Sequence, residues 1–152
     1  MKDVLISIKG IQDTGITPDP ENDAVELVTR GTYQHSEAET IFSYMESEMT
    51  GMEGTRTTFR ITPDIVTLLR EGTTNSQMVF QPGKKHVMLY NTEHGSLSFG
   101  VSTKRLTSGM DYSGGDMRID YILDMDSVVV SKNSFVINVR ELKGSAGVVL
   151  PQ

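Results

Sequence analysis

The side chains best suited to chemistry lie in and just after Phe42 to Ile61, FSYMESEMTGMEGTRTTFRI. Glu46 shares an alternating face with Phe42 and Tyr44. A hairpin turning near Gly51 brings Glu46 beside Arg56 or its neighbour Thr57. The next turn, Thr62-Pro63-Asp64-Ile65, sets Arg70 opposite Thr57 on the following strand. With these faces turned inward, a carboxylate, a guanidinium and a hydroxyl meet near one barrel mouth. Charges buried there must pair, so Glu46 and Arg70 depend on each other. An inward arginine also suits an anionic head group, which it can hold bidentately. Turned outward, the same residues make an ion pair at a solvated rim, worth little.

Other chemistry finds less support. The chain has no cysteine, which removes disulfides, thiolate catalysis and Cys-type metal sites together. No G-x-S-x-G elbow is present. Of the histidines, His35 and His94 fall in polar turns and read as solvated. His86 shares a face with Met88 and Tyr90, where a hydrogen-bonded core histidine is the simpler reading than a base or ligand. Asp124 and Asp126 flank Met125, but a calcium-type site needs several converging carboxylates, and the pair reads as a β-turn. The glycines of GGDM and PGKK do not open a helix after a strand, so neither is a phosphate loop. No catalytic set, metal site or cofactor is expected.

The elements that must position these residues are strands. Apolar residues recur with period two at Val4/Ile6/Ile8, Val25/Leu27, Phe42/Tyr44, Phe59/Ile61, Met78/Phe80 and Met88/Tyr90. The pattern continues at Leu97/Phe99/Val101, Ile119/Tyr121/Leu123, Val128/Val130 and Phe135/Ile137/Val139. Short turn signals separate them, among them Gly51 with Gly54, Pro63-Asp64, Pro82-Gly83 and Ser113-Gly114-Gly115. Two segments carry helix-start signals: Thr62-Pro63 with Gly72 downstream, and Ser36 with Glu39 as a capping box. Both are nonetheless read as strand. A Thr62–Ile65 turn would pair Phe59 with Leu68 and Ile61 with Val66, and Ile41, Phe42 and Tyr44 are β-formers. The expected fold is all-β: a single closed antiparallel up-and-down barrel of roughly 8–10 strands spanning 1–152, lipocalin- or calycin-like. Inward methionines (Met78, Met88, Met117, Met125) are read as core filling.

Bulk properties narrow the function. The 152 residues carry a formal net charge of -6, and the longest basic cluster is only Lys84-Lys85-His86. A nucleic-acid partner needs a cationic footprint, so none is expected. No apolar run approaches the ~20 residues of a membrane span, and the N-terminal segment lacks the apolar region of a secretory signal. A cytoplasmic protein without a membrane partner is the expectation.

Taken in order, MTGMEGTRTTFRI, IVTLLREG, MVFQPGKKHVMLYNTEHGSLSFGVSTKRL and GGDMRIDYILDM resemble the YwiB-like family. The matching features are the hairpin with Thr57, Arg70 with Gly72, Met78-x-Phe80 with Gly83, Tyr90-x-Thr92 with Gly95, and the Tyr121 strand. These are small bacterial proteins with calycin-like barrels, classed as a domain of unknown function. The resemblance covers essentially the whole chain and implies a closed, lipocalin-like barrel. It implies no activity, substrate or catalytic residue. The chain has no Trp, so the Gly-x-Trp signature of lipocalins is missing.

Two uses of such a barrel remain. As a binding module it holds a small, partly apolar or anionic ligand, with Glu46, Arg70, Tyr44 and Thr57 at the mouth and His86, Tyr90 and Tyr121 along the walls. With a filled barrel it is an interaction or self-association module, possible as a homodimer, whose exterior residues Val28, Met45, Val87, Leu89 and Val136 do the work. Neither use is enzymatic.

Overall fold

A computed structural model describes residues 1–13, 24–92 and 94–142. Ten strands follow one another: β1 (Lys2–Asp13), β2 (Ala24–His35), β3 (Thr40–Met45), β4 (Thr55–Ile61) and β5 (Val66–Gly72), then β6 (Ser76–Phe80), β7 (Lys85–Thr92), β8 (Gly95–Ser108), β9 (Gly114–Met125) and β10 (Val128–Glu141). All pairings are antiparallel, and the sheet order is β6-β5-β4-β3-β2-β1-β10-β9-β8-β7. Two meanders, β1–β6 and β7–β10, are therefore joined where β1 pairs with β10, Val4 opposite Glu141 and Ile8 opposite Ile137. The sheet curls into a nearly closed barrel. At its seam β6 and β7 face each other without a ladder. The Gln81–Lys84 turn holds that side instead: Gln81 N–H donates to the Thr103 hydroxyl at 3.1 Å and Thr103 N–H to Lys84 O at 3.4 Å.

Alternation decides what lies inside. Val4, Ile6, Phe42, Phe59, Leu68, Phe80, Ile119, Ile137 and Val139 are all buried. Rings stack across the interior: Phe42 on Phe59 with centroids 5.0 Å apart, Phe59 edge-on to Phe135 at 6.3 Å, and Phe80 against Tyr121 at 4.8 Å. Gly31 lets two strands approach this core. A Cβ there would stand 2.3 Å from the Ser43 carbonyl oxygen and 2.5 Å from Ile6 Cδ1.

Both segments with helix-start signals are non-helical. Ser36 and Glu39 close a β-turn, with Ser36 N–H donating to Glu39 O at 2.9 Å and Glu39 N–H to Ser36 Oγ at 3.2 Å. Thr62 N–H donates to Ile65 O at 2.9 Å, and the predicted pairs Phe59–Leu68, Ile61–Val66 and Thr57–Arg70 form. Among the described residues the sole helical element is a 3-10 turn, Glu48–Thr50, capped by Ser47 and ended by Gly51 at φ 76°. It occupies the connection expected to be a simple hairpin turn. Asp126 and Ser127 form the two-residue β9–β10 turn, both with positive φ. At the end of the barrel away from this turn, the Tyr33 hydroxyl donates to Asp111 O at 2.5 Å and the His35 ring meets Tyr112 edge-on.

Candidate functional site

Glu46, Tyr44, Thr57 and Arg70 do converge, by a register one step different from expectation. Tyr44 pairs with Thr57 and Met45 with Arg56, and Glu46 N–H donates to Thr55 O at 2.8 Å. Glu46 is thus level with Thr55 rather than with Arg56 or Thr57. Its side chain leans back to make the contact: the Thr57 hydroxyl donates to Oε2 at 2.5 Å and the Thr50 hydroxyl to Oε1 at 3.0 Å. Glu46 is almost wholly buried, its side chain 1 % exposed. Two hydroxyl donors and a nearby cation are what keep a carboxylate tolerable at that depth.

Arg70 is the cation, with Nε 4.0 Å from Glu46 Oε2. That separation is electrostatic contact without a hydrogen bond. Nε is buried and has no partner, while the side chain as a whole keeps 20 % exposure. Arg70 therefore leans on the Glu46 charge but is not tied to it. Two phenols record this environment. Burial first, then the Glu46 charge, pushes the Tyr44 hydroxyl far above its ordinary value of 10. Burial pushes Tyr121 up to about 12, with the Arg70 charge opposing.

Above the aromatic layer a cavity of about 590 Å3 opens at the mouth where β1, β3, β5, β7 and β9 end. Arg70, Tyr90 and Tyr121 line it, with Met78, Met88 and Phe135 as its apolar walls. Among the described residues Arg70 is its single charged lining residue. Glu46, Tyr44 and Thr57 stand behind Arg70 in the wall and do not line the space. His86 does not line it either. Its Nε2 lies 3.0 Å from Gln81 Oε1, a bond that ties the start of β7 to the seam turn. Other lining residues carry no motif: Ile11 and Val25 from the ends of β1 and β2, Thr50 and Met52 from the 3-10 connection, and Asn133 from β10. Asn133 shares the inward face of β10 with a second polar residue, the buried Ser131, so it gave no distinct signal in the sequence.

Among the described residues no three His, Asp or Glu side chains gather to hold a metal ion. Asp124 is buried and paired, 2.9 Å from Lys85 Nζ, in space left by Gly100. The exterior residues singled out earlier are exposed, Val87 most at 70 % and Leu89 at 61 %. Among the described residues no helix is long and apolar enough to cross a membrane.

Ten antiparallel strands curled around an aromatic layer, with one amphipathic cavity at the mouth, define a calycin-like barrel. The particular family is fixed by residues 6–137, which match the model of a domain of unknown function, DUF1934; the chain belongs to that family. The fold is similar to the crystal structure of ywiB protein from Bacillus subtilis, with a TM-score of 0.73, 20% sequence identity and 92% of each chain covered. No curated protein matches the chain.

Proposed function

We propose that this barrel is a non-enzymatic binding protein that holds one small amphipathic molecule, its anionic head at Arg70 and its apolar part between Met78, Met88 and Phe135. One observation carries the reading: among the described residues the cavity of about 590 Å3 has a single charged lining residue, and that residue is an arginine whose carboxylate neighbour is already occupied by hydroxyls. Ligand pockets span about 300–1,000 Å3, so the barrel has room for a small ligand beyond its packed aromatic layer. A lone guanidinium in a mainly apolar space favours an acceptor head group, and a carboxylate or sulfonate fits its fork. The absence of cysteine agrees with a cytoplasmic setting.

Native mass spectrometry of freshly purified protein, followed by identification of released small molecules, tests this directly. A stoichiometric acidic amphiphile is the expected result. Protein that carries nothing, and that fails to bind the fluorescent probe 1-anilinonaphthalene-8-sulfonate, would sink the reading. The exposed Val87 and Leu89 on β7 favour a second use, self-association through the exterior. A strictly monomeric mass by light scattering at high concentration would remove it.

A further inference from the structure

Two donor groups on the cavity wall are left without acceptors. Arg70 Nε is buried without a partner, and no described residue bonds the terminal guanidinium nitrogens. Tyr121 is buried as well, and its hydroxyl takes part in no hydrogen bond among the described residues. The two side chains come from β5 and β9, strands that share no ladder, so they meet across the space they both line rather than along the sheet. The Arg70 charge acts on the phenol, which places the two groups within electrostatic reach. Packing fixes that phenol. Its ring lies between Phe80, with centroids 4.8 Å apart, and Phe135, at 5.8 Å. A donor held by its ring loses little freedom when a ligand arrives. Pushed up to about 12, the phenol stays protonated, and so remains a donor, at neutral pH. Buried donors left unpaired cost free energy, and an acceptor on a ligand removes that cost.

Electrostatics limit what such a ligand can carry. Glu46 stands behind Arg70, its Oε2 4.0 Å from Nε, so the pair is close to neutral as a unit. The hydroxyls of Thr50 and Thr57 already hold Glu46, so Arg70 can turn its outer nitrogens to a ligand without stranding the carboxylate. One negative charge at the guanidinium is met there. A second would find no other cation among the described lining residues and would feel the Glu46 carboxylate behind. An unmatched charge of that kind is how a site rejects a near relative of its ligand. We propose, as a refinement that rests on the carrier function above, that the cavity takes singly charged acids, a carboxylate held between the Arg70 guanidinium and the Tyr121 hydroxyl, and rejects doubly charged phosphate heads. A carboxylate has two acceptor oxygens and so serves both donors at once.

The test is isothermal titration of the whole protein at about pH 8, where an alkyl phosphate is past its second pKa of about 6 and an alkyl sulfonate keeps one charge. Decanoate and decanesulfonate should bind, and decyl phosphate should bind at least tenfold more weakly than either. Sulfonate and phosphate share a tetrahedral head, so charge rather than shape separates them. Tyr121→Phe keeps the ring between Phe80 and Phe135 and removes only the hydroxyl. It should weaken decanoate about tenfold and decanol no more than about threefold, because a hydrogen bond to a charged acceptor is about twice as strong as one to a neutral group. Circular dichroism and the unfolding midpoint report the fold of the variant. Decyl phosphate bound as tightly as decanesulfonate, or decanoate binding unchanged in Tyr121→Phe, overturns the proposal and leaves the carrier function standing, since decanoate still binds. Failure of every amphiphile to bind removes the carrier function and this selectivity together. The phosphate comparison uses the unmodified protein, so a misfolded variant cannot obscure it.

Discussion

Glu46 Oε2 and Arg70 Nε stand 4.0 Å apart, while the hydroxyls of Thr50 and Thr57 occupy the same carboxylate. The two charges are therefore unequal partners. Arg70 needs Glu46 to offset its charge; Glu46 has two other donors.

Loss of Glu46 should consequently cost more than loss of Arg70. Glu46→Leu leaves a mostly buried guanidinium uncompensated and should destabilise by about 3 kcal/mol. Arg70→Leu leaves the buried Glu46 without its cation but with both hydroxyl bonds, and should cost less, about 2 kcal/mol. Urea unfolding of both variants, at unchanged m, measures the difference. Equal losses would show that the pair acts as one unit.

Arg70→Gln should separate head-group recognition from burial. Decanoate affinity should fall about tenfold, near 1.4 kcal/mol, while decanol affinity stays as in the unmodified protein. Isothermal titration of the two ligands against both proteins decides it.

Gly31→Ala should destabilise by about 1–3 kcal/mol. The new methyl would meet a backbone carbonyl at 2.3 Å, and that oxygen belongs to the neighbouring strand rather than to a flexible side chain. The midpoint of thermal unfolding should fall, with the far-UV spectrum at low temperature unchanged.

Alkaline pH should unfold the protein through its phenols. Tyr33 and Tyr121 are pushed up to about 12 by burial, and Tyr44 lies higher still. A folded-state value above the unfolded one means the folded state prefers the neutral phenol. That stability is fully present below about pH 10 and is lost as pH rises toward 12 and beyond. Phenolate absorbance should therefore appear for these three residues only as circular dichroism reports unfolding. Tyr44→Phe should flatten the loss.

Strand positions were legible because period-two alternation survives wherever one face is buried. The β4–β5 register was legible too, since Thr62 and Ile65 can close only one tight turn that leaves Phe59 on Leu68. The β3–β4 register was not, because Ser47 and Gly51 cap a 3-10 turn that consumes residues a plain hairpin would have paired. Ser36 and Glu39 carry the residues of a capping box, yet the β-strand that follows takes precedence over a local helix start. Whether the barrel was hollow could not be read at all. Phe99, Phe135 and Tyr121 are all large and inward, and only their lean decides how much space they leave. The seam was present in the sequence as the odd spacing between Phe80 and Lys85 around Pro82-Gly83, but it becomes visible only once both faces are assigned.

The joint between β1 and β10 bears on how the chain is made. Val4 pairs with Glu141 and Leu142 N–H donates to Asp3 O at 3.1 Å, so β1 waits for β10. A nascent chain on the ribosome can build the β1–β6 meander from neighbours in sequence, but β1 keeps one bare edge until β10 has emerged. Contacts between such distant residues slow folding and expose strand edges on the way. Truncation before β10 should therefore leave two unlinked, aggregation-prone sheets, β1–β6 and β7–β9, in place of a smaller barrel.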